Sequence, residues 1–177
     1  MDAFRFDHKL FQRGQTWREC MESWKYRRDL FLERALQDFS LPKSEKVLAS
    51  MTDRRIVVLY DPKMLDAMKT VPILGNVLSR IPSLELRLFS QDIFFPVLYQ
   101  PFGRHSPRLL LLEAEGRVEE LWGPRPEAIT RQLQDISVEN GHGERDRLLW
   151  DYQDLEFCAL LDDSLARLFT TVNGIKK

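Results

Sequence analysis

The spacing of hydrophobic residues changes from helical to strand-like and back along this chain, and these changes mark its predicted elements. In the first third the spacing is helical, with Thr16 as a predicted N-cap and Glu19 three residues later. LPKSEKVLASM, residues 41–51, predicts a further short helix after a proline break. RIVVLY, residues 55–60, is a compact run that ends at Asp61-Pro62, which predicts a strand buried on both faces.

A strand, helix, strand unit and a hairpin are predicted next. The helical pattern returns from Met64 to about Arg80, and Pro72 is expected to kink this helix. LELRLF, residues 84–89, alternates strictly, so we expect a second strand parallel to the first. After a short aromatic helix or turn, the runs RLLLLEA and RVEELWG flank a Glu115-Gly116 turn, which predicts an antiparallel hairpin.

The last third is predicted to be helical on both sides of one loop. A helix should begin with Pro124 as its first residue and end near Ile136. VENGHGERD, residues 138–146, is polar and rich in glycine, so we expect a mobile loop there. Helical spacing then continues over residues 146–172, with the pair Asp162-Asp163 as a candidate break.

Composition and net charge indicate a globular protein and argue against nucleic-acid and membrane partners. A chain of 177 residues with 44% hydrophobic and 30% charged residues is typical of one globular domain. Its net charge of −1 argues against a nucleic-acid partner, because phosphate binding normally needs a clustered basic surface. No apolar stretch is long enough to cross a bilayer and the N-terminus has no apolar signal region, so we expect a cytoplasmic protein without a membrane partner.

Thiol and metal chemistry have few candidate residues. Cys20 and Cys158, the two cysteines, are too far apart to suggest a disulfide framework and are expected to be small buried hydrophobes. His8, His105 and His142 are scattered, and no two of them have a ligand spacing on one helix. We therefore expect neither a metal site nor a cofactor.

Four segments carry a resemblance to a known family: GQTWRECMES at 14–23, RIVVLYDPKMLDAMKTVPIL at 55–74, HSPRLLLLEAEG at 105–116 and LWGPRPE at 121–127. They resemble the bacterial thioredoxin-like family that has a helical N-terminal extension, WCGDA or a CxxC variant after its first core strand, a third strand that begins at a proline, and a WGPRP motif. The resemblance covers roughly residues 14–136.

The resemblance implies an α/β, thioredoxin-like fold, in which helices flank a mixed sheet of about four strands. We therefore expect a single domain over residues 1–177. Residues 1–53 would form a helical N-terminal extension, residues 54–136 the thioredoxin core, and residues 144–172 a C-terminal helix.

The same resemblance places the family's active segment at Met64, Leu65, Asp66 and Ala67. Met64 stands at the position of the nucleophilic cysteine, and Ala67 at the position of a second one. Thiol-disulfide exchange needs a thiolate, and a thioether has no proton to lose. The segment is therefore expected to be catalytically inactive. Asp66 is explained by its place at the start of a helix, where a negative charge is favourable.

The Pro107 loop and the GPRP corner are the other candidate binding elements. The resemblance implies a cis peptide bond before Pro107, and His105, Ser106 and Pro107 would line a groove with the Met64 segment. Alternatively, Pro107 sets only the geometry of its loop. Arg125 is a candidate to bind a carboxylate and Trp122 a candidate groove residue; alternatively, GPRP is a rigid corner and Trp122 a core or edge anchor.

Three functions stay open on these observations. The first is a redox-inactive protein that binds a protein or peptide partner, either through the groove between Met64 and Pro107 or through the aromatic segment IFFPVLYQPF, residues 93–102. The second is a thiol-disulfide oxidoreductase that uses Cys20 or Cys158. The third is a purely structural subunit. The expected assembly is a monomer or a weak homodimer.

Overall fold

The computed structural model of this protein describes residues 4–94, 97–103, 105–135 and 141–174. Within them the elements follow in the order α1 His8–Gln12, α2 Trp17–Ser23, α3 Arg28–Ala35, α4 Pro42–Ala49, β1 Arg54–Tyr60, α5 Leu65–Leu78, β2 Leu84–Ser90, α6 Gln91–Phe94, α7 Tyr99–Phe102, β3 Arg108–Leu112, β4 Val118–Trp122, α8 Glu127–Asp135, α9 Gly141–Asp151 and α10 Asp154–Val172.

The four strands form one mixed sheet in the order β2-β1-β3-β4. β1 pairs with β2 in parallel and with β3 antiparallel, and β3 and β4 form an antiparallel hairpin. The predicted parallel unit and hairpin are therefore confirmed, as is the α/β class with helices flanking a mixed sheet. Among the described residues, no helix combines the length and apolar composition needed to span a membrane.

Side chains of β1 alternate between two hydrophobic cores, one on each face of the sheet. Ile56, Val58 and Tyr60 lie in the larger core, whereas Val57 and Leu59 lie in the smaller one. Because residues 56–60 of the predicted run are all hydrophobic, both faces of β1 are buried from Ile56 onward, as expected. Helices α2 to α5 and α8 to α10 contribute to the larger core, and α1 and α6 contribute to the smaller one.

The start of α2 is fixed by a predicted capping box, and the chain after α2 packs on the sheet through a stack of aromatic rings. Thr16 caps α2, and Glu19 completes a capping box by accepting a hydrogen bond from the Thr16 backbone N–H. The Trp24 ring stacks on Tyr60, with the centroids 5.0 Å apart, and on Phe31 at 3.8 Å. This stack holds the chain after α2 against the end of β1.

The corner before α8 differs from the prediction. The helix begins at Glu127, so the prediction that Pro124 is its first residue is wrong. Pro126 borders the helix instead, because its carbonyl accepts the first-turn hydrogen bonds from the N–H groups of Ile129 and Thr130. The predicted end near Ile136 lies outside the described residues.

The predicted mobile loop at 138–146 is also wrong from Gly141 onward, where α9 begins, and residues 138–140 lie outside the described residues. Leu149 on α9 is buried in the larger core, so tertiary packing stabilises a helix that the local glycines disfavour. The break between the last two helices lies at Tyr152 and Gln153.

Asp162 does not break α10, contrary to the candidate position in the sequence. Its buried carboxylate accepts hydrogen bonds from the backbone N–H groups of Lys43 and Ser44, at 3.0 and 2.8 Å. These are orphan donors of the first turn of α4, which an acidic side chain satisfies well. Asp162 therefore joins α10 to α4 and stays helical.

Candidate functional site

A tight turn after β1 presents Met64 at the start of α5. The Asp61 carboxylate accepts a hydrogen bond from the Lys63 N–H at 2.9 Å, and the Asp61 carbonyl accepts one from the Met64 N–H at 3.1 Å. Met64 is the N-cap of α5, and no side chain caps this end of the helix. Its side chain is 42% exposed. The turn therefore places a thioether, not a thiol, at an accessible helix N-terminus.

A hydrogen bond joins the Pro107 loop to this turn. The Asp61 N–H donates to Ser106 Oγ at 2.6 Å, and the Ser106–Pro107 peptide bond is cis. Ser106 and Pro107 are buried, whereas His105 is exposed. A Cβ at Gly123, whose φ is +120°, would lie 2.2 Å from the Pro107 carbonyl oxygen, so the GPRP corner packs directly on this loop.

Asp66 and Arg125 form a largely buried ion pair beside Met64. Arg125 Nη2 lies 2.5 Å from Asp66 Oδ2, and the Asp66 side chain is 6% exposed. Burial raises the pKa of Asp66 to about 6; the Arg125 guanidinium opposes the rise and Asp146 adds to it. Oδ1 of Asp66 has no hydrogen-bond partner among the described residues. Arg125 thus binds a carboxylate of the chain itself.

A cavity of about 610 Å³ opens next to the Met64 segment. Its walls come from the start of α5, the GPRP corner, the segment between α2 and α3, and α9. Tyr26, Met64 and Trp150, which are among the exposed large hydrophobic residues of the described chain, all line it. The full lining is Tyr26, Arg27, Lys63, Met64, Leu65, Asp66, Met68, Arg125, Arg145, Asp146, Leu149 and Trp150.

A second cavity of about 440 Å³ adjoins the first, because Tyr26 and Lys63 line both. It lies where the parallel strands β1 and β2 end, at Tyr60 and Ser90. Its wall includes the Trp24 ring, which the stack on Tyr60 holds in place. We call the two cavities together the Tyr26 cleft.

Burial and raised pKa values disfavour thiol-disulfide exchange at both cysteines. Cys20 is fully buried, its Sγ donates to the Tyr60 hydroxyl at 3.4 Å, and burial raises its pKa to about 12. Cys158 is 9% exposed, and burial raises its pKa to about 11. Neither lines the Tyr26 cleft. Both thiols are therefore almost entirely protonated at neutral pH, whereas the thiolate is the reactive species.

The structure brings together some of the predicted site residues and separates others. Met64, Leu65, Asp66 and Arg125 line one cavity, and Ala67 is buried in the helix behind them. The residues His105, Ser106, Pro107 and Trp122 do not line the Tyr26 cleft.

Trp122 is an anchor between the sheet and the last helix. It is 7% exposed, and its Nε1–H donates to Ser164 Oγ on α10 at 2.8 Å. This contact with α10 is what the anchor alternative for Trp122 predicts.

Sequence reasoning missed the cleft residues outside the thioredoxin-like core. Tyr26 and Arg27 follow α2, and Arg145 and Trp150 belong to α9. The available signals were weak: Tyr26 interrupts a short basic run, and Trp150 lies in a pattern that predicts only a helix. In the described part of the chain, no group of three or more His, Cys, Asp or Glu side chains is arranged to hold a metal ion.

Comparison with known proteins gives a family match and two fold matches. A family described as Thioredoxin matches residues 14–137. The crystal structure of an HIV epitope-scaffold aligns with a TM-score of 0.65 and 16% identity, over 96% of this chain and 99% of the scaffold. A protein of unknown function from Pseudomonas aeruginosa aligns with a TM-score of 0.65 and 15% identity, over 94% and 99%. At these identities the two structures bear on the fold alone. No curated protein matches the sequence.

Proposed function

Since this chain belongs to the thioredoxin family, and since its Met64 segment offers no thiol, we propose that it is a redox-inactive member that binds a protein or peptide partner beside Met64. The observation that carries the proposal is the exposed thioether of Met64 at the N-terminus of α5, next to an open cavity. A helix N-terminus favours a thiolate, but methionine cannot form one.

The positions of both cysteines support the redox-inactive part of the proposal. A thiol of pKa about 12 or 11 is almost entirely protonated at neutral pH, and burial prevents contact with a disulfide substrate. Tyr60 beside Cys20, and Arg34 and Lys69 beside Cys158, lower the thiol pKa values, but burial raises them by more. The purely structural alternative does not account for an open cavity with exposed apolar residues.

The cavity wall supports the binding part. Aromatic residues and methionine are enriched at protein interfaces, and flexible methionine adapts to varied partners. Tyr26, Met64 and Trp150 are 40%, 42% and 36% exposed around one cavity. On this proposal His105, the exposed residue of the Pro107 loop, extends the binding surface, while Ser106 and Pro107 support the turn beneath Met64.

A disulfide-reduction assay tests the redox-inactive part. Wild-type protein with a supply of reductant should reduce insulin disulfides no faster than the reductant alone. Turnover above that background, lost in Cys20→Ser or in Cys158→Ser, would show instead that the chain is an oxidoreductase.

Partner capture tests the binding part. Met64→Asp should weaken retention of a cellular partner on immobilised protein, because it replaces an exposed apolar side chain of the docking surface with a charged one. Leu155→Asp is the matched control, since Leu155 is 85% exposed on α10 and lines neither cavity. Equal capture by Met64→Asp and wild type would remove the Met64 surface from the proposal.

A further inference from the structure

The Tyr26 cleft has two chemically different halves. The half at the end of β1 and β2 is walled by Trp24, Tyr60, Pro62 and Ile93, which present apolar groups. The half beside Met64 carries most of the charge. Because the halves adjoin at Tyr26 and Lys63, an occupant of the whole cleft meets an apolar surface and then a charged one.

Cations outnumber anions along the cleft. Its lining includes Lys25, Arg27, Lys63, Arg125 and Arg145, against Asp66, Asp92 and Asp146. The whole chain carries a net charge of −1, so this excess of positive charge is a local property. Asp66 is already paired with Arg125, and the N-terminus of the 14-residue helix α5 adds a positive dipole end. The cleft therefore favours an anionic occupant.

The apolar half is preorganised for one side chain. The Trp24 ring lies between Phe31 at 3.8 Å and Tyr60 at 5.0 Å and is 2% exposed, so the part of it that lines the cavity is held in place. Ile93, 61% exposed, covers another side. A pocket of about 440 Å³ with such walls suits a large apolar side chain, which gains free energy by leaving water.

On the basis of the proposed binding function, we propose that the occupant is an acidic peptide segment of a partner protein. An aromatic or aliphatic side chain of this segment fills the half beside Trp24, and neighbouring carboxylates lie beside Lys63 and Arg27. An extended peptide matches the cleft because it carries side chains of different chemistry in sequence along adjoining cavities. The walls that select it come from the segment after α2, from the turn after β1 and from α6.

Fluorescent peptide pools test the charge of the occupant. Three degenerate hexapeptide pools each carry one aromatic residue, surrounded by only acidic, only neutral or only basic residues. The acidic pool should bind the full-length protein most tightly by fluorescence polarisation, and its affinity should fall as salt is added. Equal or tighter binding of the neutral or basic pool, or no binding of any pool, would overturn the acidic-peptide proposal.

Two pairs of variants test the position of the peptide. Lys63→Glu should weaken acidic-pool binding roughly 3- to 30-fold, as expected when an attraction becomes a repulsion near the surface. Lys46→Glu makes the same charge change at an exposed position on α4 and should have no such effect. Ile93→Asp should weaken binding, whereas Leu155→Asp, at an 85% exposed position on α10 outside the cleft lining, should not.

The outcomes separate this inference from the proposed function. If Met64→Asp weakens partner capture but Lys63→Glu behaves like Lys46→Glu, the binding function stands and the acidic peptide is wrong. If Met64→Asp changes neither capture nor pool binding, the docking site itself is wrong. Weaker binding of the acidic pool by both Lys63→Glu and Ile93→Asp, with both controls unchanged, supports the inference.

Discussion

Arg125 Nη2 lies 2.5 Å from Asp66 Oδ2, so the corner before α8 is joined to the first turn of α5. Both residues lie next to Met64 in one cavity wall. The sequence suggested a role for each residue alone, a helix-opening acid and a carboxylate-binding arginine, and the fold makes them partners. The pair therefore fixes the orientation of the Met64 segment relative to the GPRP corner.

Asp66 should make stability fall as the pH rises from about 4 to about 6. Its pKa rises from 3.8 to about 6 on folding, so in this range the folded state holds a proton that the unfolded state has lost. Relative to Asp66→Asn, the wild type should lose up to about 3 kcal/mol of unfolding free energy, at 1.36 kcal/mol per pKa unit. Urea unfolding of both proteins across this range measures the difference.

Arg125→Gln provides the companion test of the same pair. The Arg125 guanidinium lowers the pKa of Asp66 against the larger effect of burial, so its removal should move the fall in stability to higher pH. A wild-type minus Asp66→Asn difference that stays flat, or that rises with pH, would show that Asp66 does not titrate as proposed.

Much of the sheet was predictable from local sequence. The strand at residues 55–60 was predictable because a β-branched run before Asp61-Pro62 leaves few other structures, and the Thr16 capping box is a purely local signal. The second half of α9 was predicted as helix, but its start at residues 141–145 was not, because the stability of this glycine-containing turn depends on burial of Leu149 in a core that distant helices complete. Local glycines predicted a loop, and tertiary contact decided otherwise.

Only the part of the candidate site that follows β1 was predictable from the sequence. Met64 and Asp66 follow a recognisable strand, so their place at its end could be inferred. Tyr26 and Trp150 come from the two extensions, and no spacing in the sequence relates either residue to Met64. Their convergence is a property of how the extensions pack, which the local pattern does not encode.

The two natural thiols should be unreactive until the protein unfolds. Burial raises the pKa of Cys20 to about 12 and that of Cys158 to about 11, and excludes a thiol reagent from both. In native protein, labelling by a disulfide dye should be slow and should become complete in guanidinium. Met64→Cys is the positive control: an exposed thiol at a helix N-terminus should label rapidly. Rapid labelling of the native wild type would contradict the structural assignment of the two thiols.

Lys69 should make stability rise with pH in the alkaline range. Its ammonium is buried and donates to the carbonyls of Tyr152 and Trp150, at 2.5 and 3.3 Å, where α9 ends. Burial, and then Arg34, lowers the pKa of Lys69 from 10.5 to about 8. Between these values the unfolded state holds a proton that the folded state has lost, so stability increases with pH.

Lys69→Met isolates this effect from other alkaline titrations. The unfolding free energy of the wild type, minus that of Lys69→Met, should increase by up to about 3 kcal/mol between pH 8 and about 10.5. Denaturant unfolding in buffers across this range measures it. Lys46→Met, at an exposed position, is the control for the loss of a lysine. A difference that decreases with pH would contradict the lowered pKa of Lys69.

Gly75 should be required by the packing of α5 on α2. A Cβ built at Gly75 would lie 2.2 Å from Cε3 of Trp17, whose ring is largely buried and cannot easily move. Gly75→Ala should therefore destabilise the protein by about 1–3 kcal/mol, as expected for overpacking, although alanine is the better helix former. Urea unfolding at neutral pH, with circular dichroism as the probe, measures the change.

Gly143→Ala separates packing from helix propensity. Gly143 lies in α9, and no atom of the described residues stands within 4 Å of the Cβ that would be added there. Only propensity acts at this position, so Gly143→Ala should stabilise the protein, by up to about 1 kcal/mol. The two substitutions are chemically identical and should have opposite signs. Stabilisation by Gly75→Ala would mean that Trp17 does not hold α2 against α5, and destabilisation by Gly143→Ala would mean that the chain at Gly143 is not helical.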